Sequence, residues 1–166
     1  DKTISIFGED RETTIIDGSD NGSVFTITDF SHVDIGSISI ENGHNNQGGG
    51  INITESTLIM NNININDNNV TNKGGGLCAT ASNINMSNVN IFDNICPNSS
   101  CDGGGMFASG GGNYILNNVG VYDNHADDRG GGIRLRGAET IATLTKVSIH
   151  HNDCAFGGGM SIDNGA

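Results

Sequence analysis

"VYDNHADDRGGGIRLRG", Val121 to Gly137, holds a glycine triplet, a carboxylate pair, three arginines and a histidine. Alone it has the make-up of a catalytic or phosphate-binding loop. Its parts recur along the chain, however, and the recurrence decides the fold. Five near-evenly spaced glycine triplets begin at Gly48, Gly74, Gly103, Gly130 and Gly157, 26, 29, 27 and 27 residues apart. An apolar residue follows each one: Ile51, Leu77, Met106, Ile133 and Met160. Ahead of the triplets stands a second signal, "ININDN" at Ile63, "VNIFDN" at Val89, "VGVYDN" at Val119 and "VSIHHN" at Val147. "ISIENG" at Ile38 is a weaker version, with Gly43 in place of Asn. Between the two signals runs a third alternating stretch, such as "STLIM" from Ser56 and "SNINM" from Ser82.

Each unit therefore reads strand, turn, strand, turn, strand, turn. The best helix candidate, "AETIATLTK", aligns with the middle strand of the other units. Three short strands repeated every 26 to 29 residues predict an all-β fold, a parallel β-helix of about six coils. One coil cannot bury its Ile, Leu and Met face alone. Stacking coils about 4.8 Å apart buries it and hydrogen-bonds each strand to its neighbours, giving a rod on the order of 30 Å long. Asn68, Asn94, Asn124 and Asn152 fall at one equivalent position, where stacked amides form a ladder along the axis. We expect one β-helix domain over 1–166, with 1–47 as irregular first coils and 48–166 as the regular repeats. "DKTISIFGED" starts within a strand and "GGGMSIDNGA" stops after one, and neither reads as a cap. The expectation is a fragment of a longer parent chain, or a protomer that self-associates by end-to-end stacking into a filament.

The elements "GGGI", "GGGL" and "GGGM", with "INDN", "IFDN", "VYDN" and "IHHN", resemble the repeats of chlamydial polymorphic outer-membrane proteins over about Ile38 to Ile162. Those repeats carry GGA followed by Ile, Leu or Val, and Phe-x-x-Asn. Here Gly replaces the Ala and an aliphatic residue replaces the Phe. The resemblance implies a right-handed parallel β-helix of surface-exposed, adhesin-like type.

Composition narrows the function. Seven basic against nineteen acidic residues give a net charge of −12, which opposes nucleic acid or an anionic membrane as a partner. No apolar run reaches transmembrane length, so no direct membrane insertion is expected. The 26 Gly and 24 Asn, with one Pro and no Trp, are a poor helix composition. Cys78, Cys96, Cys101 and Cys154 lack zinc-ligand spacing. "CPNSSC" lets Cys96 and Cys101 close as a disulfide, pointing to an oxidising, extracellular setting. Cys78 and Cys154 lie nearly three coils apart, too far to bridge, so each is free or paired with another molecule.

Candidate sites follow from strand alternation. After the triplets the outward positions are Asn52, Cys78, Phe107, Arg134 and Ser161, a column with no rank of Thr for ice binding. No triplet has the Lys and Ser/Thr of a phosphate-binding loop, and no cofactor is expected. Asp67, Asp93 and Asp123 form a column that either faces water or holds a cation, and water-facing turn residues are the expectation. Asp127 and Asp128, with Arg134 and Arg136 pointing outward, are the alternative catalytic set, for a polysaccharide lyase or hydrolase. The expected role is structural: an extracellular stalk, adhesin-like segment or filament subunit, with host or matrix glycans and receptors as partners. The lack of Trp and the two Tyr weigh against a lectin-like module. Asn21, Asn52, Asn69, Asn85 and Asn98 start Asn-x-Ser/Thr sequons and are the glycosylation candidates.

Overall fold

A computed structural model describes residues 2–163. The strands come in threes. They are β1 (Thr3–Phe7), β2 (Ile15–Asp17) and β3 (Phe25–Ile27); β4 (His32–Glu41), β5 (His44–Gln47) and β6 (Ile51–Thr54); β7 (Thr57–Asn66), β8 (Asn69–Lys73) and β9 (Leu77–Thr80); β10 (Asn83–Phe92), β11 (Ile95–Cys96) and β12 (Met106–Ser109); β13 (Gly112–Tyr122), β14 (His125–Ala126) and β15 (Ile133–Arg136); then β16 (Thr140–His150) and β17 (Met160–Asp163). No helix occurs among the described residues. All strand pairings are parallel, in three sheets. The long strands stack in the order β1-β4-β7-β10-β13-β16, with β2 also on β4; the short ones as β5-β8-β11-β14; the post-triplet strands as β3-β6-β9-β12-β15-β17. The protein is a parallel β-solenoid of about six coils with three strands per coil.

The partition of each coil differs from the one expected. The middle run and the element before the Asn are one long strand, bent at a residue of positive φ: Ser37, Asn62, Asn88, Asn118 and Lys146. Pairing continues on both sides of the bend, for instance Ser87↔Asn117 and then Val89↔Val119. The third strand lies after the Asn, where the sequence reads as a turn. Ahead of the first triplet, β1 pairs in register with β4, and β4 with β7.

Inward residues stack like with like. Ile35, Met60, Met86 and Leu116 make one column, and Ile40, Ile65, Ile91 and Val121 another, all at most 2 % exposed. Burying such aliphatic columns is the main driving force for the stack, at about 25 cal/mol per Å² of apolar surface. Two polar devices stitch the corners. Ser31 N–H donates to Ser56 Oγ at 3.1 Å, and Ser56 N–H to Ser82 Oγ at 3.3 Å. At the next corner the Nδ2 groups of Asn68, Asn94 and Asn124 each donate to the Oδ1 of the following ladder Asn at 2.9 Å. The Asn94 Nδ2 also reaches Phe92 O and Ile65 O, both at 2.9 Å, while its Oδ1 accepts from Asn68 N–H at 3.2 Å. Gly43, the departure from the pattern, starts the ladder by donating its N–H to Asn68 Oδ1 at 2.9 Å.

The triplets explain themselves beside this ladder. Their first glycine has φ between 57° and 73°, which turns the chain into the post-triplet strand. Their other two face the same glycines of the next coil: a Cβ on Gly105 would stand 2.7 Å from Gly132 O, and one on Gly132 2.6 Å from Gly159 O. No larger residue allows coils to approach so closely there.

Candidate functional site

Alternation sends Cys78, Phe107 and Arg134 away from the core, and the expectation was that they face solvent. They are 0, 1 and 2 % exposed. At three successive triplets the residue before the glycines covers the outward residue of the next coil. Gln47 Oε1 lies 3.8 Å from Cys78 Sγ, Lys73 Nζ lies 4.9 Å from the Phe107 ring centroid, and Asp102 Oδ2 lies 3.7 Å from Arg134 Nε. These covering residues share a row, joined by the bridges Lys73↔Asp102, Asp102↔Arg129 and Arg129↔Phe156. The result is a second, smaller compartment outside the post-triplet sheet.

Arg134 is the centre of that compartment. Its Nη2 donates to Asp163 Oδ2 at 2.6 Å and its Nη1 to Ser161 Oγ at 2.5 Å. Ser161 is its register partner on β17, and Asp163 pairs with Arg136. Asp102 Oδ1, Asp163 Oδ1 and Arg134 Nε are buried without a hydrogen-bond partner among the described residues. Burial pushes the Asp102 carboxyl above its ordinary range, with Arg134 pulling the other way. A guanidinium held this way is an ionic lock across two coils, closed to a polymer arriving from solvent.

The four residues of the alternative catalytic set are not brought together. Asp127 Oδ1 lies 2.9 Å from His125 Nε2, whose Nδ1 lies 3.1 Å from Asp153 Oδ2. Asp128 faces Arg129 at 3.7 Å, Arg136 is exposed at the end of β15, and Arg134 is enclosed. The partners that organise this region, Asp102, His125, Asp153, Ser161 and Asp163, were missed by the sequence reading. Their signal was present: each lies about one repeat from the group it meets, or beside it.

In the Asp67, Asp93, Asp123 column all three side chains are exposed at a corner of positive φ. Asp93 is held above the ordinary carboxylate range by partial desolvation and then by the charges of Asp67 and Asp123. Among the described residues no three His, Cys, Asp or Glu converge as metal ligands. On the next row out, Phe92, Tyr122 and His150 stack with centroids 5.1 and 5.2 Å apart, nearly parallel. A second amide ladder, unforeseen, runs outside the bend: Asn88 Nδ2 donates to Asn62 Oδ1 at 2.9 Å, and Asn118 Nδ2 to Asn88 Oδ1 at 3.1 Å.

Cys96 and Cys101 form a disulfide. Cys78 and Cys154 are free. Cys78 is fully enclosed, and burial pushes its thiol up to about 11 against the pull of Lys73, so a bond from it to another molecule is sterically closed. Cys154 is half-buried against the small cluster of Val70, Cys96, Cys101 and Ala126. Of the sequon residues, Asn21, Asn85 and Asn98 are exposed, and Asn52 and Asn69 are half-buried. Asn98 lies in the disulfide loop, where its Nδ2 donates to Thr71 O at 2.7 Å, and Asn69 opens β8.

No helix of the described residues is long and apolar enough to cross a membrane. Compared with family models, curated proteins and solved structures, the chain matches none.

Proposed function

We propose that this protein is an extracellular structural element, a β-solenoid stalk or adhesin-like segment displayed at a surface. The observation that carries this reading is where the buried polar chemistry goes. The ladder from Asn68 to Asn152 and the Arg134 lock are both spent joining coil to coil. Of the alternative catalytic set, Arg134 is consumed as a stitch between coils. The Cys96–Cys101 disulfide suits an oxidising compartment, the charge of −12 suits a soluble surface, and the likeness of the repeats to chlamydial polymorphic outer-membrane proteins supports the adhesin-like form. A polysaccharide-cleaving role would have to proceed without Arg134, which is enclosed.

The test is antibody labelling of intact and permeabilised source cells. Labelling of intact cells is expected; labelling that requires permeabilisation overturns the reading. Filament formation is a separable part of it. Electron microscopy at neutral pH should show linear particles, and a monodisperse short rod removes the filament alone.

A further inference from the structure

Two shallow depressions, of about 410 and 340 Å³, lie side by side at the corner between the post-triplet sheet and the long-strand sheet, and share Thr57 and Asn83. The first is walled by Phe30, Glu55 and Ala81; the second runs onto the flat outer face of the long strands, past Ile59, Asn85, Asn113 and Ile115. They form one open groove crossing successive coils.

Its lining is nearly uncharged. In a chain of net charge −12, the groove holds a single ionisable side chain, Glu55. Thr57, Asn83, Asn85 and Asn113 offer neutral hydroxyl and amide groups, and Asn83 Oδ1 accepts from Asn113 N–H at 3.0 Å while its amide hydrogens have no partner among the described residues. At one end Phe30 stands 72 % exposed, and Ile115, 46 % exposed, lies at the other. Phe30 occupies the positive-φ corner position that Glu55, Ala81 and Glu139 take in other coils. The backbone there needs no aromatic ring, and the ring buries little.

An exposed ring, aliphatic patches and neutral amides along an open groove match the chemistry of a sugar chain, whose C–H faces pack on apolar groups and whose hydroxyls pair with amides. The volume suits several sugar units. The absence of cations rejects polyanions, and the flat, open course suits an extended ribbon over a coiled polymer. We infer that this groove binds a neutral β-1,4-linked polysaccharide. The inference deepens the adhesive part of the proposed function by naming its ligand class and its site. Asn85 begins a sequon within the groove, and a glycan attached there would block it, so binding requires this position to be unglycosylated.

The test uses the purified chain, free of N-linked glycans, sedimented with microcrystalline cellulose or chitin, and with insoluble calcium pectate for comparison. Retention by cellulose or chitin but not pectate is expected. Phe30→Ala should weaken it at least tenfold, as should Asn83→Asp, while His150→Ala, on another face, leaves it unchanged. Titration with chitohexaose or cellohexaose should shift the side-chain amide resonances of Asn83 and Asn113. The inference is overturned by failure of the folded chain to bind either neutral polymer, by preference for pectate, by retention that survives both groove variants, or by pairing of two copies across this face. None of these outcomes bears on labelling of intact cells, so the groove and the surface location stand or fall separately.

Discussion

Lys73 Nζ lies 4.9 Å from the centroid of the Phe107 ring, one coil on. The pair shows how the second compartment is roofed: an apolar stem and a charged head close over a ring that points away from the main core. Phe107→Ala should cost about 3–5 kcal/mol, as for a core aromatic. Lys73→Met keeps the stem and should cost about 0.5–1 kcal/mol for the lost cation–π contact. Urea titration of both variants checks this. A Phe107→Ala cost below that of Lys73→Met would mean that the ring is not enclosed.

The asparagine ladder predicts a graded series. Asn94→Ala strands Asn68 N–H and the carbonyls of Ile65 and Phe92 in a buried corner, and each such group costs about 1–3 kcal/mol. Asn94→Asp keeps the acceptor and loses the donors, so it should also destabilise. Asn152 is half-buried, and Asn152→Ala should cost less than Asn94→Ala in the same thermal melts.

Arg134→Ala leaves Asp163 and Asp102 facing an emptied, desolvated space, and removal of one partner of a buried ion pair typically costs about 3–5 kcal/mol. The double change Arg134→Met with Asp163→Leu removes both charges and should recover much of that loss. Calorimetry of the two variants decides; equal losses would show that Arg134 matters only for packing.

Native alkylation with iodoacetamide at pH 8, followed by intact mass, should show one adduct, at Cys154. Cys78 is enclosed and its thiol is pushed up to about 11, so it stays protonated and unreactive. Unfolding should expose a second site, and reduction two more from Cys96 and Cys101. Two adducts on the native chain would contradict the burial of Cys78.

Asp93 gives a pH signature. Its folded pKa is raised, first by desolvation and then by Asp67 and Asp123. Its contribution to stability is therefore present below the ordinary carboxylate value of 3.8 and is lost as pH rises through the raised one. Asp93→Asn should raise the Tm at pH 7, less so in high salt, and leave it nearly unchanged at about pH 3.

The period, the sheet direction and the inner Asn ladder were legible because stacked coils repeat their requirements at matching positions. The strand bend was not: Asn62, Asn88 and Asn118 have turn chemistry, and only the pairing on either side shows one continuous strand. Strands as short as "IC" and "HA" carry no pattern to read. The covered column was hidden for a different reason. Period-two alternation says that Cys78, Phe107 and Arg134 leave the main core, and it says nothing about what lies outside. Phe30 went unnoticed because it lies ahead of the first triplet, where the repeat is weakest.

The ladder uses the same bonds between every pair of coils it joins: one amide donates up the axis and one backbone N–H bonds the next side-chain oxygen. Within the ladder a coil can thus be duplicated or excised as a unit without any new contact being invented, as long as the cut falls at matching points such as Gly76 and Gly105; the second compartment is less permissive, since that excision would set Lys73 over Arg134 in place of Asp102. Reach is then set by copy number.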